Sequence, residues 1–307
     1  MVLGARHLIN KRGYTAKSYI QDGLVAMWDC LENVGFGQFD QSATTWVDLS
    51  GNGYDMSMTG YKVDGKFSAD GAYAAQPDML IAAYLGYINL GSDNSYGEIV
   101  FSFSKYVTET WGQFIALNRH RLNHNGGDIN LSGASFDFRY NTSNLKRYHV
   151  AYGVPYGWGQ SIRNVSSSSG LPAGVYQMRG SPMGSWLNGL KSTGSMSGDD
   201  GKVYCSNTMP ITTKFVCIGG TYYGSGSGIS GTSIVGALPT GTKIKSIRIY
   251  NNQLSESDMS ANYAVDSARF QIGGRRLICR RIVCTRSWRP SARFCSRRAR
   301  RIWKEVA

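Results

Sequence analysis

Oxygen-bearing side chains recur in one turn-rich segment, and their spacing could bind a metal ion. Asp48, Ser50 and Asn52 alternate as in the first half of a calcium-binding loop, and Asp55 adds a second carboxylate. The twelfth position of such a loop would hold Thr59 rather than glutamate, so the segment is not an EF-hand. The same side chains could instead accept hydrogen bonds from the neighbouring backbone and stabilise a turn. The sequence therefore predicts either a structural Ca²⁺ ion with Asp48, Asn52 and Asp55 among its ligands, or a hydrogen-bonded turn.

Aromatic residues gather in two glycine-containing segments. The first carries Tyr152, Tyr156 and Trp158, and the second carries Tyr222 and Tyr223. An aromatic ring can pack against the C–H face of a sugar while nearby polar groups fix the orientation of that sugar. The surrounding glycines indicate loops, in which such rings are at least partly exposed. These five residues are candidates for a glycan-binding site; alternatively, their rings cover the edge of the fold.

Two histidines are further candidates for metal chemistry. His120 and His124 are four residues apart, a spacing that aligns two ligands on a helix. However, no glutamate follows His120 as in the His-Glu-x-x-His zinc motif, and glycine and asparagine surround the pair. We therefore interpret both as loop histidines. The sequence also contains neither a Gly-x-Ser-x-Gly nucleophile elbow nor a phosphate-binding loop.

The elements that must position these residues are short strands. Apolar or alternating runs recur along the chain, separated by connectors rich in glycine and serine. In the last of these runs, Ile247 and Ile249 would share one face of a strand. Many short strands with frequent turns favour a β-sandwich or barrel. The predicted strands are residues 23–28, 44–47, 56–59, 98–104, 113–117, 135–140, 175–178, 185–187, 214–218 and 243–250.

One segment after the last strand has the signature of a helix. Ser255 is suited to cap its N-terminus, and Asp258 three residues later completes the aspartate form of a capping box. Met259 and Tyr263 are four residues apart and would share one face. We therefore expect one short helical turn near the end of the domain.

Three segments, in this order, resemble the laminin-G/concanavalin A-like lectin superfamily, in the LamG type found in bacterial and phage proteins. Residues 46–55 (WVDLSGNGYD) are similar to the early Asp-x-Ser-Gly-Asn-Gly-x-Asp turn of that family, and residues 185–189 (SWLNG) to its Asn-Gly hairpin. Residues 247–255 (IRIYNNQLS) are similar to its closing signature. The resemblance covers about residues 22–266. It implies an all-β fold, an antiparallel two-sheet jelly-roll β-sandwich of the concanavalin A-like kind with one short C-terminal helical turn.

The resemblance also raises the question of enzyme activity, because some members of this superfamily are glycoside hydrolases. The retaining glucanases of this fold carry Glu-x-Asp-x-Glu, which places the carboxylates on one face of a strand. Before the basic end of the chain, glutamate occurs only as Glu32, Glu98, Glu109 and Glu256, and none fits that pattern. We therefore expect no enzyme activity.

The resemblance then implies a non-enzymatic binding or structural module. Its leading form is a phage virion or bacterial surface protein that binds glycans or packs against other particle or surface proteins. The alternative is a carbohydrate-binding module or degraded glycoside hydrolase of a polysaccharide-using bacterium. LamG-like domains often bind calcium, which supports Ca²⁺ as the one expected cofactor.

Charge divides the chain into parts. Residues 270–307 contain eleven arginines, one lysine and one glutamate, so +11 of the total formal charge of +13 lies there. We predict a polar N-terminal arm over residues 1–21, the sandwich over residues 22–266 and an Arg-rich tail over residues 267–307. The tail is either a disordered basic arm that binds nucleic acid, with Trp288 and Trp303 stacking on bases, or an out-of-frame terminus.

Targeting signals give little further information. Residues 1–13 lack the apolar core and cleavage site of a secretory signal, and no apolar run is long enough to span a membrane. A virion protein assembles in the cytoplasm and needs no such signal. We therefore expect a location on a virion or bacterial surface.

Overall fold

A computed structural model of the chain describes residues 13–86, 88–89, 96–104, 111–117, 135–141, 144–150, 158–164, 172–181, 184–191, 196–197, 212–213, 216–223 and 233–272. These residues form 22 β-strands and one α-helix. The strands are β1 (Leu24–Asp29), β2 (Thr45–Trp46), β3 (Met56–Ser57), β4 (Thr59–Gly60), β5 (Val63–Ser68), β6 (Gly71–Ala74), β7 (Ala82–Tyr84), β8 (Ile88–Asn89), β9 (Tyr96–Phe103), β10 (Trp111–Leu117), β11 (Ser135–Asn141), β12 (Asn144–Val150), β13 (Trp158–Asn164), β14 (Gly174–Ser181), β15 (Gly184–Leu187), β16 (Leu190–Lys191), β17 (Met196–Ser197), β18 (Thr212–Thr213), β19 (Val216–Ile218), β20 (Thr221–Tyr223), β21 (Ser233–Val235) and β22 (Thr242–Tyr250). The helix is α1 (Glu256–Phe270).

Two antiparallel nine-stranded sheets account for most of these strands. Sheet A has the order β16-β15-β14-β9-β22-β6-β5-β4, and β1 also pairs with β22. Sheet B has the order β17-β13-β12-β11-β10-β19-β7-β3-β2. Two further pairs, β8 with β18 and β20 with β21, form small sheets of their own. The predicted all-β sandwich is confirmed, and each of the ten predicted runs overlaps at least one strand.

The hydrophobic core lies between the two sheets. Ile247 and Ile249 of sheet A are buried there, as their spacing on one strand face predicts, and Trp28 joins them from β1. Sheet B contributes Trp46 and Phe114 to the same cluster. Alternation along the strands therefore leaves the second face of sheet A for other partners.

The Asn-Gly hairpin forms where the sequence predicts it. Asn188 and Gly189 connect β15 to β16 with φ angles of 49° and 80°. Both values lie in the left-handed region, which asparagine and glycine tolerate better than other residues and which two-residue hairpins require. The Oδ1 atom of Asn188 also accepts a 2.9 Å hydrogen bond from the backbone N–H of Gln177, which ties the turn to β14.

The helix begins at the predicted cap. The Oγ atom of Ser255 accepts a 3.2 Å hydrogen bond from the backbone N–H of Asp258. The helix then runs for 15 residues rather than a single turn, and it passes the predicted domain end at Asp266. It continues because Arg269 and Phe270 of its last turn are buried against the rest of the domain.

The N-terminal residues also differ from the polar arm that the sequence predicts. Ala16–Ser18 form a 3₁₀ turn, and Ala16 and Tyr19 are buried with Met27, Leu49 and Val265. Their local sequence is polar, but their apolar partners come from β1 and α1. Residues 1–12 of the predicted arm lie outside the described residues.

The chain divides into two units at Gly273 and Gly274. The first unit contains both sheets and the helix. The second, Gly274–Ala307, is most of the predicted Arg-rich tail and lies outside the described residues, together with Trp288 and Trp303. Among the described residues, none of the helical structure has the length and apolar character needed to cross a bilayer.

Candidate functional site

The predicted calcium segment folds as a compact turn centred on the Asp48 carboxylate. The Oδ1 atom of Asp48 accepts hydrogen bonds from the backbone N–H groups of Met27 (2.9 Å) and Ser50 (3.0 Å). Its Oδ2 atom accepts from the Ser50 hydroxyl (2.7 Å) and from the backbone N–H of Tyr54 (3.1 Å). A carboxylate offers about four lone-pair positions, so these donors would compete with a cation for the Asp48 oxygens.

Asn52 and Asp55 lie in the same turn. The amide of Asn52 donates to the backbone carbonyl of Val25 at 2.8 Å, and the Oδ1 atom of Asp55 accepts from the backbone N–H of Asp48 at 2.8 Å. The structure therefore brings all three candidate ligands together. Among the described residues, no group of three or more His, Cys, Asp or Glu side chains is arranged to hold a metal ion. Calcium binding remains a prediction.

The aromatic candidates lie on or beside sheet B. Trp158 is the first residue of β13 rather than a loop residue, and Tyr222 and Tyr223 end β20, which follows β19 after two glycines. Four strand spacings separate β13 from β19, or about 19 Å at 4.8 Å each. The two groups are therefore too far apart to contact the same sugar ring. Tyr152 and Tyr156 lie outside the described residues, as do His120, His124 and Glu109.

Among the described residues, the buried charged side chains gather in one place that sequence reasoning missed. It lies between the outer face of sheet A, the helix α1 and the N-terminal residues. We call it the buried polar cluster, and it consists of Tyr19, Asp29, Glu32, Glu98, Arg248, Asn262, Asp266 and Arg269, all of them buried.

Arg248 is the centre of the first half of this cluster. Its Nε donates to Glu98 at 2.7 Å, across the β9–β22 ladder in which the two residues are directly paired. Its Nη1 and Nη2 donate to both carboxylate oxygens of Asp266 on the helix, at 3.0 and 2.6 Å. The guanidinium also lies 3.9 Å from the centre of the Tyr19 ring. One arginine therefore joins both central strands, the helix and the N-terminal segment.

Arg269 has the same role in the second half. Its two terminal nitrogens donate to the Asp29 carboxylate at 2.7 and 3.0 Å, and Nη2 also donates to Glu32 at 2.9 Å. The backbone N–H of Ala16 donates to the same Glu32 oxygen at 2.7 Å. Ala16, near the start of the described chain, and Arg269, near its end, therefore meet at one carboxylate.

Two further side chains close the cluster. Tyr19 donates its hydroxyl proton to Asp266 at 2.7 Å and accepts from Arg269 at 3.2 Å. Asn262 accepts from the backbone N–H of Ile20 at 2.9 Å and donates to Glu98 at 3.0 Å. These bonds connect the two halves.

Burial and paired charge shift the pKa values of the cluster. Burial raises the pKa of Tyr19 well above its ordinary value, and the Asp266 carboxylate raises it further. Burial would lower the pKa of Arg248, but Asp266 and Glu98 outweigh that effect and raise it. Burial raises the pKa of Asp29, which Arg269 only partly opposes. Tyr19 and the two arginines of the cluster therefore keep their protons at neutral pH.

The arrangement of the cluster fits a structural role. Arg248, Glu98 and Asp266 are each fully buried, whereas a group that acts on a substrate must reach it.

The sequence contains a pattern from which the cluster could have been predicted. Glu98 interrupts a largely apolar strand, and the helix carries polar residues at 262, 266 and 269, a spacing that places them on one face.

Comparison with known proteins gives likeness of fold alone. No family model and no curated protein matches the chain. Similar solved structures include a Trypanosoma rangeli sialidase in complex with sialic acid (11% identity, TM-score 0.47) and the ligand binding domain of botulinum neurotoxin serotype D in complex with N-acetylneuraminic acid (12% identity, TM-score 0.44). The match to the sialidase covers 81% of this chain and 34% of the sialidase chain. The match to the neurotoxin domain covers 80% of this chain and 51% of the neurotoxin chain. The LamG type remains a prediction.

These neighbours correct one expectation. The sequence analysis excluded enzyme activity, and that prediction is wrong because sialidases, which are enzymes, are among the structures with a similar fold. The exclusion was based on the missing Glu-x-Asp-x-Glu strand. That test is not general, since sialidases use a tyrosine nucleophile in place of one carboxylate of the usual pair. The absence of this motif therefore gives no ground for excluding catalysis.

Proposed function

We propose that the chain binds carbohydrate, with sheet B as the side that meets the ligand. The observation that carries this proposal is the contrast between the two sheets. The outer face of sheet A is covered by α1 and by residues 14–22. The buried polar cluster and two apolar clusters, one with Met27 and Val265 and one with Trp186 and Met259, fill the space between them. The aromatic candidates Trp158, Tyr222 and Tyr223 belong to sheet B or to the strand that follows it.

Aromatic residues on a strand suit this role. A ring held by a regular backbone presents a flat apolar surface at little cost in conformational entropy, and the C–H groups of a sugar pack against it. The distance of about 19 Å between β13 and β19 suits an oligosaccharide that contacts both groups better than a single sugar.

The test is a glycan array followed by calorimetry on the full chain. The array should include sialylated glycans, since two of the similar structures hold sialic acids. We expect binding that Trp158→Ala weakens at least tenfold while the melting temperature is unchanged. Tyr61→Ala, which removes an exposed aromatic ring of the β4–β5 turn, is the matched control and should bind normally. An array without hits for the wild type overturns the proposal.

The same glycans should be tested for hydrolysis. Release of reducing sugar or of sialic acid by the wild-type chain would assign it to the glycoside hydrolases. Binding without release would support a carbohydrate-binding module. The setting on a virion or bacterial surface, and packing against other particle proteins, are proposals from the resemblance; flanking capsid or tail genes would support them.

Calcium is a separate proposal with its own test. If Asp48, Asn52 and Asp55 hold a structural ion, 1 mM Ca²⁺ should raise the melting temperature through preferential binding to the folded state, and EDTA should lower it. The response should be lost in Asp55→Asn. If neither Ca²⁺ nor EDTA moves the melting temperature, the turn is stabilised by its hydrogen bonds alone.

A further inference from the structure

The residues before β1 lie on the outer face of sheet A in the manner of a bound peptide. The backbone N–H of Ala16 donates to the Glu32 carboxylate at 2.7 Å, and that of Ile20 donates to the Oδ1 atom of Asn262 at 2.9 Å. The carbonyl of Ile20 accepts a 3.1 Å hydrogen bond from the Tyr250 hydroxyl. Side chains of the domain thus hold the backbone of these residues, and main-chain hydrogen bonds are a common source of affinity in peptide recognition.

Tyr19 is the side-chain anchor of this N-terminal segment, which we define as residues 14–20. The tyrosine is 2% exposed, and the guanidinium groups of Arg248 and Arg269 lie 3.9 and 5.4 Å from the centre of its ring. Its hydroxyl donates to Asp266 at 2.7 Å. A guanidinium is attracted to an aromatic ring, most strongly when both are out of water. The site therefore combines main-chain hydrogen bonds with one buried aromatic anchor.

The N-terminal segment occupies a groove that is unfavourable to leave empty. We call it the segment groove; it lies between α1, β22 and the residues after β1, and its polar lining consists of Glu32, Arg248, Tyr250, Asn262, Asp266 and Arg269. Without the segment, Glu32, Asn262 and Asp266 would each lose a hydrogen-bond donor. All three are buried, and an unsatisfied buried polar group is costly, above all when it is charged. Loss of one segment therefore favours its replacement by an equivalent one.

A tight turn joins the N-terminal segment to β1. The backbone N–H of Leu24 donates to the carbonyl of Gln21 at 3.1 Å, and Gly23 within the turn has a φ of 71°. Glycine adopts this left-handed conformation at little cost, and a β-carbon here would lie 2.2 Å from the Oδ1 atom of Asn252. Gln21 and Asp22 are exposed. A change in this turn would redirect the segment and leave the lining of the groove as it is.

We propose that the segment groove is an exchange site for a second copy of this chain, in which residues 14–20 of each copy occupy the groove of the other. Exchange of an identical element keeps the contacts at both grooves and changes only the connecting turn. The short connection gives the segment an effective concentration in the millimolar range at its own groove. The single copy therefore dominates in dilute solution, and the exchanged dimer forms where copies are concentrated or where the turn cannot close.

The experiment alters the turn and measures the oligomeric state of the full chain. Deletion of Asp22 shortens the connection, which hinders the segment from reaching its own groove but not that of a second copy. In sedimentation velocity at about 10 μM, the wild type should be monomeric and the deletion variant dimeric. Asp22→Asn, which keeps the length of the turn, is the matched control and should be monomeric. Adding Tyr19→Phe to the deletion should weaken the dimer at least about tenfold, because the anchor loses its hydroxyl at both grooves.

Two results of this measurement would overturn the exchange site. The first is a folded deletion variant that stays monomeric, since the segment then belongs to its own copy whatever the turn. The second is a dimer that Tyr19→Phe does not weaken, since that dimer uses another surface.

A peptide measurement decides the question if the deletion variant does not fold. A fluorescently labelled peptide of residues 13–21 should bind the full-length Tyr19→Phe chain about tenfold more tightly than the wild type, because the resident segment of that variant is held less firmly. Tyr61→Phe, at an exposed tyrosine, should bind the peptide as the wild type does. If the peptide does not bind the folded Tyr19→Phe chain, the groove does not accept a segment from outside and the exchange site is wrong.

Discussion

The outer face of sheet A and the β12–β13 part of sheet B both place arginine on a strand, with different partners. Arg248 has Glu98 opposite it in the ladder and Asp266 on the covering helix, so its charge is balanced within the protein. Arg147 has Phe138 and Gln160 opposite it. The comparison teaches that the ladder places a carboxylate directly opposite Arg248 but not directly opposite Arg147.

The largest effect on stability should come from removing Arg248, the centre of the first half of the buried polar cluster. Arg248→Met leaves two buried carboxylates without their cation, and loss of one partner of a buried ion pair costs about 3–5 kcal/mol of unfolding free energy. Urea denaturation measures this cost. Arg147→Gln, at a strand arginine with no carboxylate directly opposite it in the ladder, is the comparison variant and should cost less than Arg248→Met.

A triple variant sharpens the same comparison. Combining Arg248→Met with Glu98→Gln and Asp266→Asn removes the stranded charges, and it should recover part of the lost stability because neutral amides cost less to bury than carboxylates. Equal destabilisation by Arg248→Met and Arg147→Gln would show that a directly opposite carboxylate does not decide the cost of losing a strand arginine.

A smaller effect should come from the N-terminal segment. Tyr19→Phe removes one hydroxyl that donates to Asp266 and accepts from Arg269, and leaving these buried groups less satisfied should cost about 1–3 kcal/mol. Thermal or urea unfolding checks this. Tyr61→Phe, on an exposed tyrosine, should stay within about 0.5 kcal/mol of the wild type. If both variants are equally stable, the hydroxyl of Tyr19 does not help to hold residues 14–22 on the domain.

The division between what the sequence predicted and what it missed follows contact distance along the chain. The strands, the Asn188-Gly189 hairpin and the Ser255 cap depend on neighbours within a few residues, so local pattern predicted them. The buried polar cluster joins residues about 150 to 250 positions apart, such as Arg248 with Glu98 and Arg269 with Tyr19. Each of these appears locally as an ordinary polar residue, and only the spacing along the helix and the position of Glu98 in a largely apolar strand indicated them.

The candidate site divides in the same way. The Asp48 turn was predicted as a unit because its residues are contiguous, although the sequence left open whether its oxygens bind a cation or the backbone. Trp158 was expected in a loop because glycines flank it, but Gly159 has ladder partners on both sides, Tyr148 and Ser197. Glycine next to a strand start is therefore weak evidence for a loop when neighbouring strands are long enough to pair with it.

The smallest effect concerns charges at the solvent margin of sheet A. Asp70 accepts a hydrogen bond from Lys243 and also lies near Lys245; burial alone would raise the pKa of Asp70, but these lysines outweigh it and lower the pKa. A carboxyl whose pKa falls on folding stabilises the fold above its unfolded pKa of about 3.9, and this contribution disappears as the pH falls through the folded value.

Because Asp70 is more than half exposed, Asp70→Asn should cost only about 0.2–1 kcal/mol at pH 7. That cost should stay constant from pH 8 to 5 and disappear as the pH falls through the lowered folded pKa of Asp70, as urea unfolding at each pH would show. Asp22→Asn, at an exposed position, should be neutral throughout; a cost for Asp70→Asn that persists at low pH would assign its role to shape or hydrogen bonding rather than to charge.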